Sequence, residues 1–457
     1  MTAGHGPERF RAPSARRRAP GCSHSAGADA CRGEAGVRIT SFVRGALGAL
    51  ALSLPLAAQS GGAATPLVNL IAEAERANPS LAAARQGWKA ARQVPSQVST
   101  LPDPQVTLQQ FSVGNPLPFA GYTTSNFAYV GVGVSQDLPF PGKLRLRREI
   151  AQQEAAVAGE QAEATRRAVI EQLKEAYFRL AASDETLDIL RRDGELSRQL
   201  EQVSEARYRV GQGNQQDVLK AQLEETALLR EVALEQQRRD TLQARLRQIL
   251  NRSPQSPPIV PAPLTETKLP YSADQLRARV AKDNPDLAAE EARVHGEEFA
   301  VQLAHKDFDP DFNVQYMYQR TGPRFPDYYM LTVGVKIPLH RRGRQKPELA
   351  EAIARRGAAQ RQFEAGTQTA YFAVQDQVLA ARTGAQVLKI YRQGLIPQAT
   401  ATFNAGMAAY QQGREDFETL EQSFRDVLTL DRQYWSTLAA HEIALAKIEE
   451  LTGVSLP

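Results

Sequence analysis

Residues 312–319 read Phe312-Asn313-Val314-Gln315-Tyr316-Met317-Tyr318-Gln319. In an extended chain side chains alternate with a period of two, so Phe312, Val314, Tyr316 and Tyr318 share one face and Asn313, Gln315 and Gln319 the other. Leu331, Val333, Val335 and Ile337 give a second alternating run, reached through a Gly-Pro-containing turn. Strands are therefore expected near 311–320 and 328–338. Earlier in the chain a similar pair is expected near 104–113 and 126–137, the second carrying Val130, Val132 and Val134. Strands of about ten residues have the length and alternation of a transmembrane barrel. Four of them cannot close, and an open edge in lipid leaves backbone groups unpaired. The sequence thus demands copies of itself; three would supply twelve strands.

The two strand pairs belong to a longer repetition. Asn78-Pro79-Ser80-Leu81 recurs as Asn284-Pro285-Asp286-Leu287, Asp103-Pro104 as Asp309-Pro310, and Val132-Gly133-Val134 as Val333-Gly334-Val335. Ala176-Tyr177-Phe178 recurs as Ala370-Tyr371-Phe372, and Tyr208 with Gly211 as Tyr410 with Gly413. Order is kept throughout, so the chain is two tandem copies of one unit. The expected division is a leader over 1–64, repeat one over 65–252, a linker over 253–271 and repeat two over 272–457. The linker contains prolines 254, 257, 258, 261 and 263, which stop a helix and favour extended structure.

Each repeat reads as helix, two strands, very long helix and return helix. No proline occurs between Pro141 and Pro254, and Ala, Glu, Gln, Leu and Arg dominate. Val210-Gly211-Gln212-Gly213-Asn214 is the only turn signal there. The expected helices are 142–210, about 100 Å long, and 215–250. In repeat two they are 347–410, kinked at Pro397, and 415–452. Helices this long need a packed seam. In the last helix Val427, Leu430, Tyr434, Leu438, His441, Leu445 and Ile448 supply one, which makes His441 a seam residue and not a ligand. An opening helix over 66–98 and the return helix together match the long helix in length, so stacked end to end they could line it.

Composition narrows the function. The 55 Lys+Arg and 51 Asp+Glu give a net charge of +4, but eight basic and three acidic residues lie before residue 45. Removing them leaves 47 and 48, a net of −1, so no basic nucleic-acid footprint remains. Both cysteines, Cys22 and Cys31, lie in that early stretch, which excludes disulfides and thiolate chemistry downstream. Residues 45–58, GALGALALSLPLAA, are too short to span a bilayer, follow Arg38 and Arg44, and precede small residues: a signal peptide, with cleavage expected between Ala57 and Ala64. Residues 1–36 are either a disordered extension or the product of a mis-assigned start near Val37; the second is favoured. A mean hydropathy of −0.41 excludes a polytopic helical membrane protein. His295, His305 and His340 lack ligand spacing, and no phosphate loop, nucleophile elbow or zinc motif appears. No catalytic residue, cofactor or metal site is expected.

The repeat, the strand pairs, the tips Tyr208 through Leu219 and Tyr410 through Leu420, and the closing Leu250-Asn251 and Leu451-Thr452-Gly453 together resemble the TolC-like outer-membrane efflux family, the outer-membrane factors of tripartite pumps. The likeness covers residues 66–454. It implies a mainly α fold with a small transmembrane β part: a twelve-stranded barrel in a homotrimer, continued by a coiled-coil periplasmic tunnel. It also implies a passive duct docked through its helix tips onto a periplasmic adaptor, and through that onto an inner-membrane pump.

The resemblance further assigns Glu418 and Glu421, one turn apart on one helix face, to a carboxylate gate at the tunnel entrance, with Tyr410 and Arg414 as latch partners. Gly211, Asp217, Val218, Leu219, Gly413 and Leu420 would shape the adaptor-docking tips, with the glycines as turn formers and an acid as a cap. Phe312, Val314, Tyr316, Tyr318, Val333 and Val335 would face outer-membrane lipid. Lys143, Arg145, Arg341 and Arg344 follow the strand pairs at matching repeat positions, where basic side chains meet lipid phosphates. Pro139-Phe140-Pro141-Gly142-Lys143 is similar to a variant among metal-efflux relatives, so the cargo reads as metal ions or drugs. A type I protein-secretion duct shares this architecture, and a non-conducting periplasmic coiled-coil scaffold or adhesin is the alternative of another class.

Overall fold

The computed structural model describes residues 64–456; the expected signal segment at 45–58 and the prefix before it lie outside them. In chain order the described residues form α1 (Leu67–Ala77), α2 (Pro79–Ala91), α3 (Val94–Ser99), β1 (Gln105–Phe111), β2 (Tyr129–Leu138), α4 (Lys143–Arg209) and α5 (Gln215–Ile249). The second half gives α6 (Ala273–Asp283), α7 (Pro285–Lys306), β3 (Asp311–Thr321), β4 (Tyr328–Lys336) and α8 (Gln345–Ile390). A π-helical turn (Tyr391–Leu395), α9 (Ile396–Gln411) and α10 (Phe417–Thr452) complete it.

The opening segment expected as one helix over 66–98 is three. Pro79 and Pro95 cannot donate to a preceding turn, so each begins a new helix at its first positions. Only α2 and α3 continue the line of α5 along α4; α1 packs its buried Leu70 and Ala74 against Leu173, Tyr177 and Leu246 instead. The repeated Asn-Pro explains the stacking. Asn78 Oδ1 accepts from the backbone N–H groups of Ser80 (2.9 Å) and Leu81 (3.2 Å), capping α2, while its Nδ2 donates to the Ile249 carbonyl at the end of α5 (2.8 Å). Asn284 does the same in repeat two: it accepts from Leu287 N–H (3.0 Å) and donates to the Leu451 carbonyl (3.1 Å). One side chain thus satisfies donors of one helix and an acceptor of another.

The two long helices differ. α4 runs unbroken for 67 residues. Its counterpart is interrupted by the π-helical turn over Tyr391–Leu395. Pro397, two residues into α9, lacks an N–H and its ring crowds the carbonyl four residues back; widening one turn accommodates both.

The four strands make one antiparallel sheet in the order β1-β2-β3-β4. Facing pairs such as Leu108 with Val132, Val132 with Tyr318, and Tyr318 with Tyr329 lie on the same side, so the apolar sides of all four strands coincide. No helix among the described residues is long and apolar enough to cross a membrane.

Around the middle of the helical body, the proline-rich linker is tied down as an extended strap. Gln243 exchanges two hydrogen bonds with Ile259, donating to its carbonyl (2.6 Å) and accepting from its N–H (2.9 Å). The Tyr177 hydroxyl accepts from Ala262 N–H (2.8 Å) and donates to the Thr65 carbonyl (3.2 Å). His441 is buried, with Nδ1 2.9 Å from the Ala381 carbonyl and Nε2 2.8 Å from that of Thr267.

The seam of α10 departs from expectation in its first half. Leu438, His441, Leu445 and Ile448 are buried, but below them the buried residues are Phe417, Leu420, Phe424 and Leu428, while Val427, Leu430 and Tyr434 lie at its margin. The seam passes through Asp431, whose polar side chain breaks the apolar pattern and shifts the sequence reading sideways.

Candidate functional site: the four-stranded sheet and the helix tips

The sheet has two chemically distinct faces. On one lie Val106, Leu108, Val130, Val132, Val134, Phe312, Val314, Tyr316, Tyr318, Tyr329, Leu331, Val333 and Val335. On the other, Gln105, Thr107, Gln109, Ser135, Asn313, Gln315, Gln319 and Thr332 prevail. Leu108, Val132, Tyr316, Leu331 and Val333 are exposed, although water disfavours such a surface. β1 and β4 each keep one unpaired edge.

Beneath the sheet, α4 and α8 start with basic residues. Lys143 is not free there: its side chain is 4% exposed and its Nζ lies 3.2 Å from Asp307 and 3.0 Å from Asp311. It pins α4 to the start of β3, so its expected contact with lipid phosphate is corrected to an internal ion pair. Arg145, Arg341 and Arg344 remain exposed, with Arg344 beside Glu348 (3.0 Å).

At the opposite end the two tips share one turn. Gly211 (φ 77°) and Gly413 (φ 72°) adopt the left-handed conformation. Gln212 N–H bonds to the Arg207 carbonyl and Arg414 N–H to that of Ala409, each at 2.9 Å, the helix-ending pattern that glycine permits. The second tip has an acidic cap: Asp416 accepts from Thr419 N–H (2.8 Å), which holds its carboxyl below the usual aspartate range. In the first tip Asn214, not Asp217, stands at the cap position; Asp217 is in the first turn, where its charge favours the helix N-terminus.

The tips of the two repeats clasp one another. Tyr410 is buried, with its hydroxyl 3.2 Å from Ser204 Oγ on α4. The Arg207 guanidinium lies 4.4 Å from the centre of its ring and also donates to its backbone carbonyl. Burial, with Asp217 nearby, raises the Tyr410 hydroxyl above the usual phenol range and keeps it protonated. The cation of this clasp is Arg207, not Arg414, which is exposed and has no side-chain partner among the described residues. Sequence did carry a signal: the repeat position matching Arg207 is Ala409, so the charge is particular to one tip.

Of the expected gate acids, Glu418 is 80% exposed and reaches Lys220 of α5 (3.1 Å). Glu421 is only 15% exposed and lies 2.7 Å from Arg425, which also contacts Glu224 of α5 (2.6 Å). With Arg432 and Glu231 these pairs form a ladder between α5 and α10. Glu421 is therefore part of that ladder and not a free carboxylate. Leu420, expected on the docking surface, is buried between the helices, Val218 is half-buried, and Leu219, Gly211 and Gly413 are exposed.

A family model described as outer membrane efflux protein matches residues 70–252 and again 276–454. The chain belongs to the outer membrane efflux protein family.

Within that family, the pyoverdine export outer membrane protein OpmQ of Pseudomonas putida is 24% identical over 337 residues, covering 72% of this chain and 71% of that protein. Among solved structures, the outer-membrane channel OprN superposes with a TM-score of 0.74 at 18% identity, covering 85% of this chain and 90% of that one. CusC gives 0.73 at 17%, covering 85% and 92%. VceC from Vibrio cholerae gives 0.71 at 20%, covering 84% and 96%. The efflux-family fold, helical body and strand sheet alike, is thus that of outer-membrane channels. No group of three or more side chains able to hold a metal ion occurs among the described residues.

Proposed function

We propose that this efflux-family protein is a passive homotrimeric exit duct of a tripartite efflux system, its four strands completing a twelve-stranded barrel in the outer membrane. The observation that carries this is the sheet: one mainly apolar face, broken by Gln110, Gln136 and Arg320 towards its ends, and two unpaired edges. An edge exposed to lipid would cost several kcal/mol for each unsatisfied backbone group, and pairing β4 of one copy with β1 of the next removes the edges. A scaffold or adhesin would have no use for that apolar face. Arg145, Arg341 and Arg344 sit near helix N-termini, where the helix dipole disfavours cations; an external anion such as a lipid phosphate accounts for them.

The tips, exposing Tyr208, Val210 and Leu219, form the adaptor-docking surface, and the adaptor links the duct to its inner-membrane pump. Glu418 supplies negative charge at the entrance and attracts cations. The cargo is small; the OpmQ relative, named for pyoverdine export, adds a compound of that kind to metal ions and drugs. A protein-secretion duct would share the same frame.

The test uses the absence of cysteine after Cys31. Cysteine pairs, one in β1 and one in β4 of the same full-length chain, scanned along the strands and oxidised in membranes, should give covalent trimers where their depths match. Bands no larger than a monomer at every depth would overturn the reading.

A further inference from the structure

Two carboxylates occupy places where a helix seam takes apolar side chains. On α4 the buried residues Leu190, Ser197, Leu200 and Ser204 keep seam spacing, and Asp193 fills the place between Leu190 and Ser197. On α10, Asp431 fills the place between Leu428 and Trp435. The helices run antiparallel, and their register brings the acids opposite each other. From the Lys174–Glu449 ion pair, nineteen residues down α4 reach Asp193 and eighteen back along α10 reach Asp431, about 28 Å in each case. Leu190, Leu200, Leu428 and Trp435 pack in one cluster, so the acids are set into an apolar wall.

Little around them can neutralise two charges. Oδ2 of Asp193 is buried without a hydrogen-bond partner. Arg192 on the same helix is exposed and donates to the Asp188 carbonyl (3.3 Å); its charge favours ionisation of both acids, but less than burial opposes it. Arg432 on α10 is engaged by Glu231 of α5, which also has Arg230 within 3.8 Å. Burial, and then the charge of Asp431, pushes Asp193 up to about 7; burial raises Asp431 as well. A single retained proton relieves both the desolvation and the repulsion of such a pair.

We propose that Asp193 and Asp431 form a proton-holding carboxyl pair that fastens the two repeats together along the α4–α10 seam and loosens it when the proton leaves. The sign follows from linkage. The folded chain holds this proton more tightly than the unfolded one, so the pair's contribution is complete below the ordinary aspartate range. It falls as pH rises and is lost above about 7. Sixteen residues of α4 separate Asp193 from the tip, so the loosening acts on the lower part of the helical body.

The test measures thermal unfolding of the full-length protein in detergent from about pH 5 to about pH 8.5. The wild type should lose several degrees across this range. Asp193→Asn, neutral at position 193 at every pH, should lose clearly less and melt above the wild type at the alkaline end. Infrared spectra of the wild type should show a protonated-carboxyl band fading near pH 7, absent from Asp193→Asn. A variant melting curve that tracks the wild type, or a band that Asp193→Asn leaves in place, would overturn the proposal. If Asp193→Asn fails to fold, Asp431→Asn serves: with the neighbouring charge gone, the band should fade at lower pH. An unshifted band would equally overturn it.

Discussion

Single side chains carry much of the joinery. Asn78 caps α2 and closes the end of α5 at once, so Asn78→Ala removes a cap and orphans the Ile249 carbonyl. The loss should be about 2 kcal/mol or more, read as a lower denaturation midpoint. Asn284→Ala should cost a similar amount, and the two should add because they share no partner. The Asn-Pro repeat was visible in the sequence, but its role was not. Each partner is a backbone carbonyl on a helix ending far along the chain, and backbone atoms leave no mark on composition. The two acids expected to form a gate separate at the same scale. Glu418→Ala should reduce cation selectivity in single-channel recordings. Glu421→Ala should leave selectivity unchanged and cost about 1 kcal/mol or less by weakening the Arg425 ladder. Sequence placed both acids on one helix face; it could not show that Lys220 of α5 meets one while Arg425 of their own helix, tied to Glu224 of α5, holds the other.

Between elements, fit decides. A Cβ at Gly159 of α4 would stand 2.9 Å from the indole nitrogen of Trp88 on α2, so Gly159→Ala must push the ring outward. A loss of about 1–3 kcal/mol is expected, with a red shift in emission from a chain that has two tryptophans. The long helices were legible because proline is absent and helix formers are continuous. Their interruptions were legible in part. Pro397 announced a disturbance, and the backbone resolved it as a widened turn. Pro79 and Pro95 stood in plain view, yet a proline at the first position of a helix reads like one tolerated inside it. The seam of α10 was misplaced for a more specific reason: Asp431 holds a core position, and apolar periodicity cannot register a buried acid.

For the molecule as a whole, the sheet dominates. Val333 lies on the apolar face, and Val333→Arg should cost about 2–4 kcal/mol where it meets the middle of a bilayer. The expected outcome is loss of the outer-membrane form in fractionated cells, with the helical body still protease-resistant. The two-fold repeat and the alternation of residues 312–319 made this architecture readable, because both are periodic. Contacts between the repeats were not readable: Arg207 meets Tyr410 and Lys174 meets Glu449 across more than two hundred positions, with no recurring pattern.

The two unpaired borders of the sheet have a genetic consequence. In the proposed trimer, a copy with a ruined β4 could still offer β1 to an intact sibling, and then nothing could join on its other side. Such an allele would poison every ring it entered, whereas a deleted gene would merely lower the number of rings. Damage to the last strand should therefore behave as dominant when both versions are expressed in one cell.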